Sequence, residues 1–342
     1  MTSDRTAPGT WLDPAYAAEA NTPDAPAPSS TAHLPHVNGA PVRMIASDID
    51  GTILSYRSAQ TGILSPRTVE AFHAAKAAGV VVVLVTGRPV RALRAISETL
   101  GNVGPVVASN GAVTYDLYRD ELIASDPLGA AALFQTKDLI AGLDPQVTFA
   151  AETLDHLHLE ESFARGSLWF DEERRRAAGI RDEELRFGPL DFTLQRHSLG
   201  TAVTPGAEVG RRHVSDTVVK LLAKTGTHEP DAFLAAAQRR VGQLATVTHS
   251  APGVSMLEIS SRGVNKAVAL QRFAARLGID AGASIAFGDM PNDVEMLRWA
   301  GTSWAVGSGH PAAQAAAARV TASCDEDGVA DVIEQLLEGR LT

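Results

Sequence analysis

The chain has 342 residues, which leaves room for about two domains. Hydrophobic residues make up 45% and charged residues 20% of the chain, as in a globular protein with a sizeable core. The net charge of −10 argues against nucleic-acid or anionic-membrane partners, because both require a basic surface. The single cysteine, Cys324, excludes an intrachain disulfide and a cysteine-based zinc site.

Residues 1–42 have the composition of a disordered tail. They are rich in Ala, Ser and Thr and contain seven prolines, so they bury too little apolar surface to offset the entropy of ordering. The basic start and apolar centre of a secretory signal are missing. The longest aliphatic run, Val80–Val85, is far shorter than the roughly 20 residues that cross a bilayer. The expected compartment is therefore the cytoplasm.

From Val42 onward, strands and helices alternate. Val42–Ser47 predicts a buried strand, and Ser65 followed by Pro66 predicts the start of a helix that ends at Gly79. The β-branched run Val80–Val85 is typical of a central parallel strand. Further predicted elements are a helix at Val90–Leu100, strands at Val106–Ser109, Ser284–Phe287 and Ser303–Val306, and helices at Lys266–Leu277 and Asn292–Ala300. This alternation predicts an α/β fold with a doubly wound parallel sheet.

The middle of the chain, residues 127–250, has a different pattern. Apolar and polar residues alternate at Val147–Ala151 and Thr246–Ser250, as in strands with one buried face. We therefore predict an α+β domain inserted between two segments of a core domain, residues 43–126 and 251–342.

Short polar clusters follow four of the predicted core strands. Ligands bind beyond the carboxyl ends of the strands in open parallel sheets, so these clusters are expected to share one crevice. The clusters are Asp48-Ile49-Asp50-Gly51-Thr52, Thr86-Gly87-Arg88, Ser109-Asn110-Gly111 and Gly288-Asp289-Met290-Pro291-Asn292-Asp293.

Four carboxylates in one crevice would repel each other strongly unless a cation neutralises them. Mg²⁺ is the expected cation, because it prefers oxygen ligands and binds carboxylates together with a substrate phosphate. Asp48 could then attack phosphorus as a nucleophile, and Asp50 could act as general acid and base. Thr86 and Asn292 offer a hydroxyl and an amide to phosphate.

Lys266 supplies a cation for the same crevice. It follows Asn265, a good N-cap residue, and a lysine in the first helical turn opposes the helix dipole. Its position is explained if the lysine and the dipole converge on one anion. A solvated surface lysine is the alternative interpretation.

These motifs together resemble the haloacid dehalogenase superfamily, specifically its Cof-type phosphatases, which carry a large cap inserted after the second motif. The first motif of that family, DxDGT, is matched at 48–52, TGR at 86–88, SNGA at 109–112 and GDxxND at 288–293. Lys266 matches the lysine that follows the cap. The resemblance covers residues 43–126 and 251–342 strongly, and the middle segment only by position and size.

The resemblance implies a Rossmann-like core and a phosphomonoester hydrolase that works through an aspartyl-phosphate. Asp48 would be the nucleophile and Asp50 the general acid and base. By the same resemblance, Mg²⁺ would be held by Asp48, Asp289 and the backbone carbonyl of Asp50, with Asp293 in support. Thr86, Lys266 and Asn292 would hold the phosphoryl group, and Arg88 and Asn110 would contact the substrate, a small phosphorylated metabolite such as a sugar phosphate.

One position departs from the family, and two other functions stay open. Relatives often carry an asparagine where this chain has Ser308, which puts any phosphate or cap contact made there in doubt. A phosphotransferase or mutase would use the same residues, and a non-catalytic receiver-like module also forms an aspartyl-phosphate beside Mg²⁺. Asp50 argues against the receiver, because it would discharge the phosphoenzyme. The substrate and the oligomeric state have no signal in the sequence.

Overall fold

A computed structural model of the chain describes residues 34–58, 62–101, 104–165, 181–195 and 217–341. These residues form a core domain built on an eight-stranded sheet and a cap domain built on a six-stranded sheet. None of the helices within these ranges is long and apolar enough to cross a membrane.

The core sheet is parallel except at one edge. Its strands are β3 Met44–Ser47, β4 Val81–Val85, β5 Val106–Ala108, β6 Val113–Asp116, β7 Glu121–Ser125, β14 Ser284–Gly288, β15 Thr302–Val306 and β16 Arg319–Thr321. They lie in the order β16-β15-β14-β3-β4-β5-β6-β7. The six strands from β16 to β5 are parallel, and β6 and β7 continue the sheet as an antiparallel hairpin.

Helices cover both faces of this sheet. One face packs against α1 Pro66–Ala77, α2 Arg94–Leu100 and α10 Gly328–Leu337, and the other packs against α7 Lys266–Arg276, α8 Val294–Trp299 and α9 Pro311–Ala316. Along β3 the side chain of Ile45 packs on the α1 side of the sheet, whereas Met44 and Ala46 pack on the α7 side. A strand buried on both faces reads as a continuous apolar run. The predicted doubly wound parallel sheet is therefore confirmed.

The ends of α1 follow directly from the local sequence. Ser65 caps the helix, its side chain accepting a hydrogen bond from the Thr68 backbone N–H, and Pro66 occupies the first turn, where no intrahelical N–H partner is needed. Gly79, at φ +83°, follows the helix in a conformation that glycine adopts without steric cost.

The cap sheet is antiparallel except for one pair of strands. Its strands are β8 Thr148–Thr153, β9 Leu157–Leu159, β10 Leu185–Phe187, β11 Val218–Lys224, β12 Ala245–Thr248 and β13 Met256–Ser261. They lie in the order β10-β9-β8-β11-β13-β12, with β9 and β10 parallel. Helices α3 Ala130–Ala141 and α6 Pro230–Val241 bury one face of the sheet around Phe233. Two one-turn helices, α4 Glu161–Ala164 and α5 Leu190–Thr193, also belong to the cap.

Two predicted boundaries differ from the structure. Residues 36–41, predicted to be disordered, form a hairpin of β1 His36–Val37 and β2 Ala40–Pro41, because Val37 and Val42 are apolar and become buried in the core. Residues 1–33 lie outside the described part. The cap also extends past residue 250, because β13 pairs with β11 and β12 in the cap sheet.

Phe72 tests how much the apolar layer between α1 and the core sheet contributes to stability. Its side chain is fully buried, whereas Glu70 on the same helix is exposed. Phe72→Ala should lower the free energy of unfolding by about 3–5 kcal/mol, because it removes apolar contacts and leaves a cavity. Glu70→Ala is the control and should change it by about 0.5 kcal/mol or less. Chemical denaturation measures both, and equal effects would contradict this account of the core.

Candidate active site

Three carboxylates meet at the point where the sheet reverses its direction of winding. The chain runs outward from β3 through β4 and β5 on one side, and from β14 through β15 and β16 on the other. Asp48 follows β3 and Asp289 follows β14, its neighbour. Together with Asp293 they bring carboxylate oxygens within 4.8 Å of one another, and all three residues are buried. Ligand crevices are expected at such a switch point.

The turn after β3 needs glycine at position 51. Gly51 has φ +80°, and a Cβ there would lie 2.2 Å from Oδ2 of Asp289. The adjacent Thr52 hydroxyl lies 3.1 Å from Oδ2 of Asp48 and 3.3 Å from Oδ1 of Asp289, so it links the two strand ends. The first motif therefore sets the distance between Asp48 and Asp289.

Lys266 is the buried cation of this cluster. It begins α7, its side chain is 1% exposed, and its Nζ donates to Oδ1 of Asp48 at 2.5 Å and to Oδ1 of Asp293 at 2.6 Å. The alternative of a solvated surface lysine is therefore wrong. The Asn265 side chain caps the helix by accepting from the Val268 backbone N–H.

Burial and mutual repulsion perturb the cluster strongly. Burial raises the pKa of the Asp48 carboxyl to about 7; Lys266 opposes this increase and the charge of Asp293 adds to it. Burial, with the charges of Asp48 and Asp293, raises the pKa of Asp289 well above its usual range. For Lys266, burial alone would lower the pKa, but the two carboxylates it contacts raise it. Three carboxylates carry more negative charge than one lysine can neutralise, so the cluster has an excess of negative charge that a cation would balance.

Asp293 stabilises the loop that carries the GDxxND motif. Its Oδ2 accepts hydrogen bonds from the backbone N–H groups of Asp289 and Met290, at 3.0 and 2.9 Å, while its Oδ1 accepts from Lys266. Asp293 thereby fixes both Asp289 and the lysine. Gly288 leaves the necessary space, since a Cβ there would lie 2.6 Å from the Cβ of Asp293.

Asp50 is tied to the second motif. Arg88 donates from Nε to Oδ2 of Asp50 at 2.7 Å and from Nη2 to Oδ1 at 2.5 Å. The Thr86 hydroxyl is buried beside the same loop and accepts a hydrogen bond from the Arg88 backbone N–H at 3.0 Å. Arg88 therefore reaches the site, and its contact here is with Asp50.

Asn110 and Asn292 lie side by side. Nδ2 of Asn292 donates to Oδ1 of Asn110 at 3.0 Å. Nδ2 of Asn110 donates to Oε2 of Glu258. Both ends of the Asn110 amide are therefore in contact with protein, and its predicted contact with substrate stays a prediction.

The cap contributes a charged face that looks onto this crevice. Glu152, Lys220 and Glu258 come from the adjacent strands β8, β11 and β13 and point to the same side of the cap sheet. Nζ of Lys220 lies 3.3 Å from Oε2 of Glu152 and 4.0 Å from Oε1 of Glu258, and it donates to the Gly87 carbonyl of the core at 2.6 Å.

Sequence reasoning missed Tyr56 and Glu258. The Tyr56 hydroxyl donates to Oδ2 of Asp289 at 2.8 Å, and a tyrosine four residues after Thr52 carries no motif signal. Glu258 lies in an alternating strand pattern, where a glutamate indicates a solvated face. Ser308, the departure from the family, is exposed, and its hydroxyl accepts from the Cys324 backbone N–H at 3.5 Å.

A model of the haloacid dehalogenase-like hydrolases matches residues 45–333. The chain belongs to this family. The resemblance inferred from the motifs is thereby confirmed.

Curated relatives are named as phosphatases. The 5-amino-6-(5-phospho-D-ribitylamino)uracil phosphatase YitU of Bacillus subtilis is 28% identical over 85% of this chain and 96% of its own. The pyridoxal phosphate phosphatase YbhA of Escherichia coli is 23% identical over 85% of this chain and 97% of its own. A solved haloacid dehalogenase-like hydrolase of Bacillus subtilis superimposes with a TM-score of 0.67 at 23% identity, covering 86% of this chain and 100% of that one. The predicted phosphatase class and α/β fold are confirmed.

Gly51→Ala should remove activity while the protein stays folded. The added Cβ would collide with the Asp289 carboxylate, and the alanine would have an unfavourable φ. Asp48 and Asp289 should therefore be displaced from each other. Gly39→Ala is the matched control, because Gly39 has φ +78° but no atom within 4 Å of the added Cβ. Both variants should lose about 1–3 kcal/mol of stability through backbone strain. Thermal melting and phosphate release measure the two effects, and an active Gly51→Ala variant would refute the spacing role.

Proposed function

We propose that this protein is a Mg²⁺-dependent phosphatase that removes a phosphoryl group from a small phosphorylated metabolite through an aspartyl-phosphate on Asp48. The observation that carries the proposal is the buried cluster of Asp48, Asp289, Asp293 and Lys266 at the carboxyl ends of β3 and β14. Oxygen-rich acidic sites with one fixed cation suit phosphoryl transfer, which depends mainly on positioning and on neutralising charge.

Asp48 is the proposed nucleophile. Its carboxylate is held from two sides, by Lys266 on Oδ1 and by Thr52 on Oδ2. These contacts limit its rotation, so an oxygen can be presented to phosphorus in a fixed direction. Lys266 would also lower the repulsion between the carboxylate and the incoming phosphate.

Asp50 is the proposed general acid and base. It would protonate the leaving oxygen and later accept a proton from the water that attacks the phosphoenzyme. A protonated oxygen of Asp50 cannot accept from Arg88 in the present way, so proton donation requires Arg88 to release that oxygen. The released guanidinium would then be able to contact the substrate, which is the role that the motif predicts for Arg88.

The acidic cluster fits Mg²⁺. Asp48 and Asp289 offer buried carboxylate oxygens close together. Burial and the neighbouring carboxylates raise the pKa of both groups, and a bound cation would lower it again. Asp293, which already accepts from Lys266 and from two backbone N–H groups, would support the site. The Asp50 backbone carbonyl is the further proposed ligand. When bound, Mg²⁺ would supply neutralising charge to the carboxylates and the phosphate.

Thr86, Lys266 and Asn292 are the proposed phosphoryl contacts, and a small metabolite is the proposed substrate. The curated relatives described above are named for a phosphoribitylamino-uracil and for pyridoxal phosphate. Both are single phosphate esters of small polar molecules, and this supports the same substrate class here. Hydrolysis is favoured over transfer to a sugar hydroxyl, because these relatives are named as phosphatases.

Asp48→Asn should abolish phosphate release in a screen of phosphorylated metabolites with Mg²⁺, because the amide is a far weaker nucleophile. Asp50→Asn should lower kcat by about 10²–10⁴-fold, the usual worth of a general acid and base. Inorganic phosphate is the measured product, and melting temperatures control for folding. Undiminished turnover by the Asp48 variant would exclude it as the nucleophile.

Mg²⁺ should raise the melting temperature, and EDTA should reverse this. At 100 times the dissociation constant the gain is about 2.7 kcal/mol. At one fixed Mg²⁺ concentration the gain in stability should be larger at pH 8 than at pH 5.5, because protons compete for Asp48, whose pKa is raised to about 7. Asp289→Asn is the control and should lose most of the gain. A Mg²⁺ effect that survives this substitution would place the metal elsewhere.

A further inference from the structure

A chain of side-chain hydrogen bonds connects the cap to the candidate phosphate site. Asn292 donates to Asn110, and Asn110 donates to Glu258. Glu258 lies on β13 of the cap sheet, whereas the two asparagines belong to loops of the core. The exposed fractions of Asn110, Asn292 and Glu258 are 3%, 5% and 6%, so solvent competes little with these bonds.

The donors and acceptors of these side chains allow the hydrogen bonds to run in only one direction, from Asn292 to Asn110 to Glu258. A carboxylate offers only acceptors, so Glu258 can bind only the NH₂ end of Asn110. The carbonyl oxygen of Asn110 then faces Asn292, so Asn292 must donate a hydrogen bond to it from its NH₂ group. That group carries two hydrogens, and the bond to Asn110 uses one of them.

The orientation of the Asn292 amide leaves one of its atoms without a partner, and the hydrogen bonds to Asn110 and Glu258 explain why. Within the described part of the structure, Oδ1 of Asn292 is buried and has no hydrogen-bond partner. An unsatisfied buried acceptor destabilises the folded state, because it has lost its hydrogen bonds to water. Turning both amides over would bring Oδ1 of Asn292 to the Asn110 amide, but it would also set the Asn110 carbonyl against the Glu258 carboxylate. The carboxylate therefore imposes the observed orientation.

We propose that Glu258 is a positioning residue supplied by the cap, which acts through Asn110 to orient the Asn292 amide with its second N–H toward the transferring phosphoryl group. This inference rests on the proposed function, because it takes Asn292 to be a phosphoryl contact. With the amide reversed, a carbonyl oxygen would face the anionic phosphoryl oxygens and repel them, and the donor would be lost.

Glu258 and Asn110 are each held in place by a further contact. The Ser250 hydroxyl donates to Oε1 of Glu258 at 2.7 Å, and this leaves Oε2 for Asn110. The backbone of Asn110 is in the left-handed region, at φ 55° and ψ 33°, and its N–H donates to the Thr86 carbonyl at 3.0 Å. Gly87 leaves room for the contact, since a Cβ there would lie 3.1 Å from Glu258 Oε2.

The arrangement makes the phosphate site depend on the position of the cap. When Glu258 is in contact with Asn110, the amide of Asn292 has one orientation. When the cap moves away, both amides are free to turn. The site is thus complete only while the cap covers it, which is when the leaving group is enclosed.

Exchanging the carboxylate and the amide tests the proposal. Asn110→Asp sets two carboxylates against each other and should lower kcat/KM by about 10- to 100-fold, with weaker inhibition by inorganic phosphate. The double variant Asn110→Asp with Glu258→Gln restores a donor–acceptor pair, because the NH₂ group introduced on the cap can donate to one oxygen of the introduced carboxylate while Asn292 donates to the other. Its kcat/KM should return to within about threefold of the unaltered protein. Glu258→Gln alone should show a smaller loss than Asn110→Asp.

A second comparison avoids the variant with facing carboxylates. Glu258→Ala should lower kcat/KM and weaken inhibition by inorganic phosphate in the unaltered background, but should add little in the background of Asn292→Ala. Additive losses, or no rescue by the exchange in a double variant whose melting temperature is normal, would overturn the positioning role. If the unaltered protein releases phosphate from no ester in the screen, the proposed function fails instead, which is a separate result.

Discussion

Buried carboxylates at the ends of the central strands repel one another, and the surrounding side chains and backbone groups are arranged to offset this repulsion. Asp48, Asp289 and Asp293 are drawn together because β3 and β14 are neighbours in a parallel sheet. Their charges are partly balanced by Lys266, which is buried among them. Isolated buried charges are very costly, so the surrounding structure must supply partners for each of them.

Much of the local structure meets that requirement. The side chain of Asp293 accepts two backbone N–H groups, and Thr52 and Tyr56 bind the oxygens of Asp289. Gly51 and Gly288 leave the space that these contacts occupy. The protein itself therefore holds the cluster in one geometry, which is the property that the proposed phosphoryl transfer requires.

The cap completes the site with chemistry of a different kind. Its face toward the core carries Glu152, Lys220 and Glu258, which neutralise one another in part and contact core loops. Lys220 binds the carbonyl of Gly87, and Glu258 binds Asn110. These two cap residues therefore contact the core loops that hold the proposed phosphate contacts, and the position of the cap is linked to those loops through side-chain contacts.

Local sequence patterns are enough to predict the doubly wound sheet, the inserted cap and the main members of the acidic cluster. Apolar runs and short motifs are local signals, and parallel strands bring their carboxyl ends to one edge. The folded structure alone shows that Lys266 is buried between Asp48 and Asp293, that Arg88 pairs with Asp50, and that β13 belongs to the cap. It also reveals the contacts of Tyr56 and Glu258, because each contact joins residues far apart along the sequence and no local pattern indicates such a pairing.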